Sequence, residues 1–146
     1  MMQRLICLRE EVQIYNALLK LSPYMFTPPS GKEWVKKYAQ KLFLYAEMYV
    51  AQVSGEAVGM IAFYCNDFNS YKAYLTTLVV KDTYREKGVG AGLLAQMIKR
   101  CKEQKMNIIG LDVCKINAHA ISLYKKYGFE VKNTHEAYVY MEKILG

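Results

Sequence analysis

The chain has 146 residues, 53% apolar and 23% charged, which is enough to bury a core and too apolar for a disordered segment. No stretch approaches the ~20 apolar residues of a membrane span. The opening MMQRLICLREEVQ breaks its short apolar run with acids too soon for a signal peptide, so a cytoplasmic protein with no membrane partner is expected. The net charge of +7 reads as a solvated basic surface and not as nucleic-acid binding, because no basic run is interleaved with aromatics.

Residues 3–8 read as a short first strand. Residues 9–21 read as a helix, with Val12, Tyr15, Leu18 and Leu19 at helical spacing. Ser22-Pro23 and the run from Thr27 through Pro28, Pro29 and Ser30 to Gly31 break it. A second helix covers 32–44, with Trp34, Val35, Tyr38 and Leu42 on its apolar side and Lys32, Lys36, Lys37 and Lys41 on a wet face. Strands follow at 46–53 and 57–66, joined by Ser54-Gly55-Glu56, a hairpin signal. A third long strand covers 72–81. A glycine-rich loop then enters a helix that ends near Gln104 and buries Val89, Leu93, Leu94, Met97, Ile98 and Cys101. The remaining elements are a strand at 107–114, a short helix at 117–127 closed by Gly128, and strands at 129–133 and 137–143. Helices, an antiparallel meander and then β-α-β-α-β predict one α/β (α+β) domain over 1–146, its mixed, mostly antiparallel sheet flanked by helices. Cys7, Cys65, Cys101 and Cys114 form no C-x-x-C and have no nearby histidines, so neither a metal site nor a disulfide framework is expected.

Residues 78–94, LVVKDTYREKGVGAGLL, carry the most chemistry. An apolar strand ends at Val80, and Arg85, Gly88, Gly90 and Gly92 open a helix. The glycines remove Cβ atoms and leave backbone N–H groups facing outward at a helix N-terminus, an arrangement suited to a phosphate. A Walker A loop is excluded, because Lys87 precedes the first glycine and Leu93 follows the last. The G-x-G-x-G spacing and the long loop depart from a dinucleotide fingerprint, although Asp112 lies at a ribose-contacting distance downstream. Taken alone, the glycines also fit a purely structural use in a sharp loop with close helix packing.

A second segment, LDVCKINAHAISLYKKYGF over 111–129, narrows the choice. Together with YREKGVGAGLL it resembles the GNAT superfamily of acetyl-CoA-dependent N-acetyltransferases. Arg85, Gly88 and Gly90 fit its R/Q-x-x-G-x-G/A signature, and Asn117, Ala120, Leu123, Tyr124, Gly128 and Phe129 fit its second helix. The resemblance covers residues 46–133 and is architectural before that. It implies acetyl-CoA as cosubstrate. The backbone of Leu78 and Val80 would meet the acetyl-pantetheine arm where two central strands splay apart. The N–H groups of Arg85, Glu86, Lys87, Gly88, Val89, Gly90 and Ala91 would hold the pyrophosphate, with Asn117 near the pantetheine and Lys126 within reach of a coenzyme phosphate. Glu86 stands where many members carry glycine, and adds a negative charge beside the pyrophosphate.

Acetyl transfer to an amine needs a neutral nucleophile, donors for the carbonyl oxygen and a proton for the leaving thiolate. A tyrosine with a pKa near ~10 can give that proton at neutral pH. The resemblance assigns this role to Tyr124 and the oxyanion contact to the Leu78 N–H. Asp112 occupies a position where several relatives carry a glutamate proposed as base. It reads equally as a base acting through a water and as an ordinary sheet carboxylate. Asp67 is a lesser candidate for the base, while His119 and His135 read as surface histidines at the edge of an acceptor pocket. The loops at 23–31 and 132–136 wall the acceptor side in this fold. They hold no acidic cluster, and the net charge favours a neutral or anionic acceptor. The expected activity is direct acetyl transfer to a primary amine of a small molecule. A peptide or protein N-acetyltransferase and a non-catalytic acyl-CoA-binding module are the alternatives. A homodimer is compatible with the fold.

Overall fold

Strand alternation and turn chemistry set the frame of the computed structural model, which describes residues 3–146. In chain order the elements are β1 (Arg4–Cys7), α1 (Glu11–Leu21), α2 (Lys32–Tyr45), β2 (Glu47–Val53), β3 (Glu56–Tyr64), β4 (Lys72–Val80), α3 (Val89–Glu103), β5 (Ile108–Cys114), α4 (Ala118–Lys126), β6 (Glu130–Thr134) and β7 (Tyr138–Ile144). Short 3-10 turns at Ser22–Tyr24 and Asp82–Tyr84 precede α2 and α3. The β2–β3 hairpin closes through two residues, Ser54 and Gly55, both at positive φ (51° and 79°), the twist that suits a tight hairpin.

The seven strands form one sheet in the order β1-β2-β3-β4-β5-β7-β6. Every neighbouring pair is antiparallel except β4 and β5, which run parallel. This is the mixed, mostly antiparallel sheet that the sequence predicts. One face is buried by α3 and α4 through Leu93, Leu94, Met97, Ile109, Leu111, Phe129 and Met141. The other is covered by α1 and α2 over β2, β3 and the end of β4, through Leu18, Leu21, Leu42, Met48, Met60 and Val79.

Two apolar stripes sit differently from their sequence reading. On α1 the buried residues are Ile14, Ala17, Leu18 and Leu21, while Val12 is 60% exposed in the first turn. On α2, Val35, Ala39 and Leu42 pack inward, and Trp34 lies outside against the Tyr38 ring at 4.8 Å. Both stripes keep helical spacing. Docking on the sheet selects their phase, which small residues such as Ala17 and Ala39 allow because they let the helix approach closely.

β4 carries a bulge. Ala62 of β3 pairs with Thr77 and Phe63 with Leu75, leaving Thr76 without a partner. Two consecutive side chains therefore face the same way. The Tyr38 hydroxyl meets both Thr76 Oγ1 (2.8 Å) and Thr77 Oγ1 (2.5 Å). Before the bulge Ala73 and Leu75 face α3; after it Leu78 and Val80 do.

Gly59 of β3 seats α3. A Cβ there would stand 2.8 Å from Val89 Cγ1 and 3.2 Å from the Val79 carbonyl oxygen. Gly59→Ala is expected to destabilise the fold by about 1–3 kcal/mol through overpacking. A urea midpoint equal to that of the parent chain would contradict this.

Candidate functional site

β4 and β5 pair only from Lys72 to Tyr74 and from Ile108 to Gly110. Beyond those residues the strands part, as the sequence resemblance anticipates. The N-terminus of α3 and one side of α4 border a cavity of about 740 Å³ at the gap. β4 contributes Leu78, Val79 and Val80, and the loop and first turn of α3 contribute Arg85, Glu86, Gly88, Gly90 and Ala91. From the other side come Asn117, His119, Leu123, Tyr124 and Lys126.

The loop is shaped by backbone conformation. Glu86 and Gly88 both have positive φ, 60° and 84°. The first bond within α3 runs from the Gly92 N–H to the Gly88 carbonyl at 3.0 Å. The N–H groups of Val89, Gly90 and Ala91 precede it and have no partner within the helix. No acidic side chain occupies that first turn. A Cβ on Gly88 would meet nothing within 4 Å, so glycine serves its φ there and leaves open space above the N–H groups. These features fit an anion seated on the helix N-terminus.

Two of the loop residues expected from sequence turn their side chains elsewhere. Lys87 places its ammonium over the Tyr84 ring at 5.5 Å, and Val89 is buried beneath the loop. Only their backbones belong to the anion-facing turn. The Arg85 guanidinium is also engaged, donating to the Val80 carbonyl at 3.2 Å and to the Tyr24 carbonyl at 2.8 Å. It ties the connection between α1 and α2 to the end of β4. Tyr24 and Phe26 of that connection, within the loop that the sequence places on the acceptor side, border the cavity.

Asn117 caps α4, its side-chain oxygen accepting the Ala120 N–H at 3.3 Å. Two turns later, Tyr124 is 7% exposed with its ring 5.7 Å from Phe129. Burial alone pushes its hydroxyl well above the ordinary tyrosine value, so Tyr124 stays protonated.

Asp112 stands apart from this cavity. Its neighbours Leu111 and Val113 face α3, so alternation turns Asp112 to the opposite face of the sheet. There it accepts a hydrogen bond from the Tyr74 hydroxyl at 2.7 Å. Burial and this carboxylate both push the Tyr74 hydroxyl upward. Tyr124 and Asp112 thus flank the gap from opposite faces. Sequence reasoning missed Tyr74, although its alternation with Ala73 and Leu75 put it on the Asp112 face.

Asp67 belongs to neither group. It caps its own turn by accepting from Ser70 Oγ at 2.6 Å and from the Asn69 and Ser70 N–H groups, which lower its pKa. His135 is exposed in the β6–β7 turn, its N–H bonded to the Tyr138 carbonyl. Among the described residues no group of three or more His, Cys, Asp or Glu side chains is placed to hold a metal ion. No helix among them is long and apolar enough to cross a membrane.

Comparison with known proteins agrees with this geometry. Residues 12–129 match the model of the acetyltransferase (GNAT) family. The N-alpha-acetyltransferase of Sulfolobus acidocaldarius is 32% identical over 128 residues, covering 80% of this chain and 70% of that protein. The L-amino acid N-acetyltransferase AaaT of Escherichia coli is 28% identical, covering 75% and 68%. The N-acetyltransferase MJ1207 of Methanocaldococcus jannaschii is 30% identical over 77% of this chain, which spans about half of that relative's length (52%). Among solved structures, PaiA N-acetyltransferase from Thermoplasma acidophilum in complex with coenzyme A has the same fold. It superposes with a TM-score of 0.78 at 20% identity, covering 97% of this chain and 99% of that one.

Proposed function

Because the chain belongs to the acetyltransferase (GNAT) family, with acetyl-CoA as its cosubstrate, we propose that residues 1–146 act as one N-acetyltransferase domain that acetylates a primary amine by direct transfer. The carrying observation is the parted β4–β5 pair, with the anion-facing turn of α3 and the buried Tyr124 on one face and Asp112 on the other. When bound, acetyl-CoA supplies an acetyl group activated as a thioester.

The chain's own groups do the rest. The N–H groups from Glu86 to Ala91, in the loop and first turn of α3, would hold the pyrophosphate; the Arg85 N–H, also expected there from the sequence, is instead bonded to the Asp82 carbonyl at 3.3 Å. Leu78 and Val80 present β4 backbone without a β5 partner, and the Leu78 N–H donates to the carbonyl oxygen as charge grows there. Asp112, through a water, takes the proton that an ammonium must lose. The amine nitrogen would form its bond to the carbonyl carbon as the C–S bond breaks, Tyr124 giving its proton to the departing sulfur and regaining one from the second proton that the new amide nitrogen loses. The products are the acetylamine, the thiol and one proton released to solvent.

The small-molecule amine expected from sequence and the N-terminus of a chain both present a suitable nitrogen. The relatives' names span the two, an L-amino acid N-acetyltransferase and an N-alpha-acetyltransferase. Their shared feature, an α-amino group, is the acceptor we favour.

Thermal unfolding with coenzyme A, acetyl-CoA and ATP tests the cofactor. At about 100 times Kd the two coenzyme A forms should add about 2.7 kcal/mol of stability. No selective shift would sink the proposal. Glu86 offers a finer check. Glu86→Gly frees a left-handed backbone position of its side chain and removes a carboxylate from the anion site. Taking the helix-terminus charge effect as about 0.3–1 kcal/mol, coenzyme A should bind about two- to fivefold tighter. Glu86→Gln should recover the charge part alone, and unchanged affinity in both variants would contradict the assigned site.

A further inference from the structure

The face of the sheet that holds Asp112 is open. Helices α1 and α2 cover β2, β3 and the end of β4, and their apolar cluster includes nothing from β5, β6 or β7. Asp112 pairs in register with Tyr140, Cys114 with Tyr138 and Gly110 with Glu142, so these side chains share one surface next to the gap. The Tyr140 ring lies over Gly110, where a Cβ would collide with its hydroxyl. Tyr138 is 46% exposed, and all five residues of β6 are exposed. Among the described residues neither α1 nor α2 packs an apolar side chain over this part of the sheet.

Its charges are unequally matched. Glu142 is held by Lys72 at 3.1 Å and by the Tyr140 hydroxyl at 2.8 Å, and both contacts keep it ionised. The same Lys72 ammonium sits over the Tyr140 ring at 4.9 Å. Lys132 on β6 is paired with Glu130 at 3.3 Å. Lys41 lies over the Tyr64 ring at 5.9 Å, two strands away from Asp112. Asp112 has only the neutral Tyr74 hydroxyl, and among the described residues no ion pair reaches it. Among the described residues the carboxylate on this face left without a cation is therefore Asp112, a local negative charge in a chain of net positive charge. It draws in an ammonium. A carboxylate one carbon away from that ammonium would meet Asp112 with no cation to hold it.

We propose that the acceptor is the α-amine of a peptide chain, selected against free amino acids by Asp112 at the head of an open tyrosine-lined face. The proposal rests on the acetyltransferase reading and narrows its acceptor. In a peptide the carboxylate is replaced by a neutral amide, and the following residues can lie along the exposed surface of Tyr138 and β6. Tyr74 positions the Asp112 carboxylate by donating to it.

The test uses the full chain with acetyl-CoA and follows release of the coenzyme thiol. Acceptors are tetrapeptides with varied first residues, each compared with its own first residue as the free amino acid and as the amino acid amide. Peptide and amide should exceed the free amino acid in kcat/KM by about tenfold or more, the scale of a like-charge contact near a surface. Asp112→Asn should lower kcat for every acceptor, as loss of the base requires, and should shrink that ratio by lowering the KM of the free amino acid relative to that of its peptide. Glu142→Gln, which releases Lys72 to meet a carboxylate, should shrink it by improving the free amino acid. Free amino acids that match or exceed their peptides would overturn the proposal and leave the acetyltransferase reading standing. If no amine released thiol while coenzyme A still raised the melting temperature, that reading itself would fall, and the proposal with it.

Discussion

Tyr124→Phe should lower kcat by about 10²- to 10⁴-fold, the usual worth of a positioned proton donor. The substitution removes one oxygen from a buried ring and keeps its packing against Phe129, so the fold and the rise in melting temperature with coenzyme A should persist. The pH profile provides a second readout. Burial raises the Tyr124 hydroxyl above its ordinary value of about 10, so kcat should show no descending limb from this group below that pH. The linkage to stability has the same sign. Stability from the neutral buried hydroxyl is complete below about pH 10 and is lost as pH climbs toward the folded value. Tyr124→Phe should flatten that alkaline loss. A variant that turns over at the parental rate would remove Tyr124 from the chemistry.

Phe129→Ala should destabilise the fold by about 3–5 kcal/mol, a large part of the ~5–15 kcal/mol that holds a domain of this size together. Phe129 is 2% exposed and follows Gly128, whose φ of 92° ends α4 and turns the chain back under the sheet. Its N–H bonds to the Tyr124 carbonyl at 3.0 Å, so its ring and backbone both fix the helix that presents the tyrosine. Activity should fall more than the unfolded fraction explains, because the cavity left behind frees the Tyr124 ring. Denaturant unfolding and kcat of Phe129→Ala and the milder Phe129→Leu separate the two effects. A loss below about 1 kcal/mol in the alanine variant would mean that the site collapses around the gap.

Much of this molecule was legible in its sequence because the informative signals are local. The glycines of 88–92 needed only their spacing, the hairpin only its Ser54-Gly55-Glu56 turn, and the end of α4 only its Gly128 stop. The resemblance supplied the parting of the central strands, which no single segment encodes. What stayed hidden depends on partners distant in sequence. Periodicity gave the width of the α1 stripe but not its phase, which the sheet decides by burying Ile14 and exposing Val12. The Arg85 guanidinium is spent on the Tyr24 carbonyl, 61 positions away, and this cannot be read from a motif in which Arg85 counts as a loop residue. Asp112 was recognised, but its Tyr74 partner and its bare electrostatic surroundings come from strands brought together by topology.

The extra residue at Thr76 makes β4 a strand of two phases, and this places an unusual demand on how the gene can change. Removing one residue there would turn every later side chain of the strand over: Leu78 and Val80 would face α1 and α2, and Thr77 and Val79 would face α3. The same stretch can accept an exchanged side chain wherever volume is kept. Across its descendants, variation at this point should be by substitution alone, with strand length inherited unchanged.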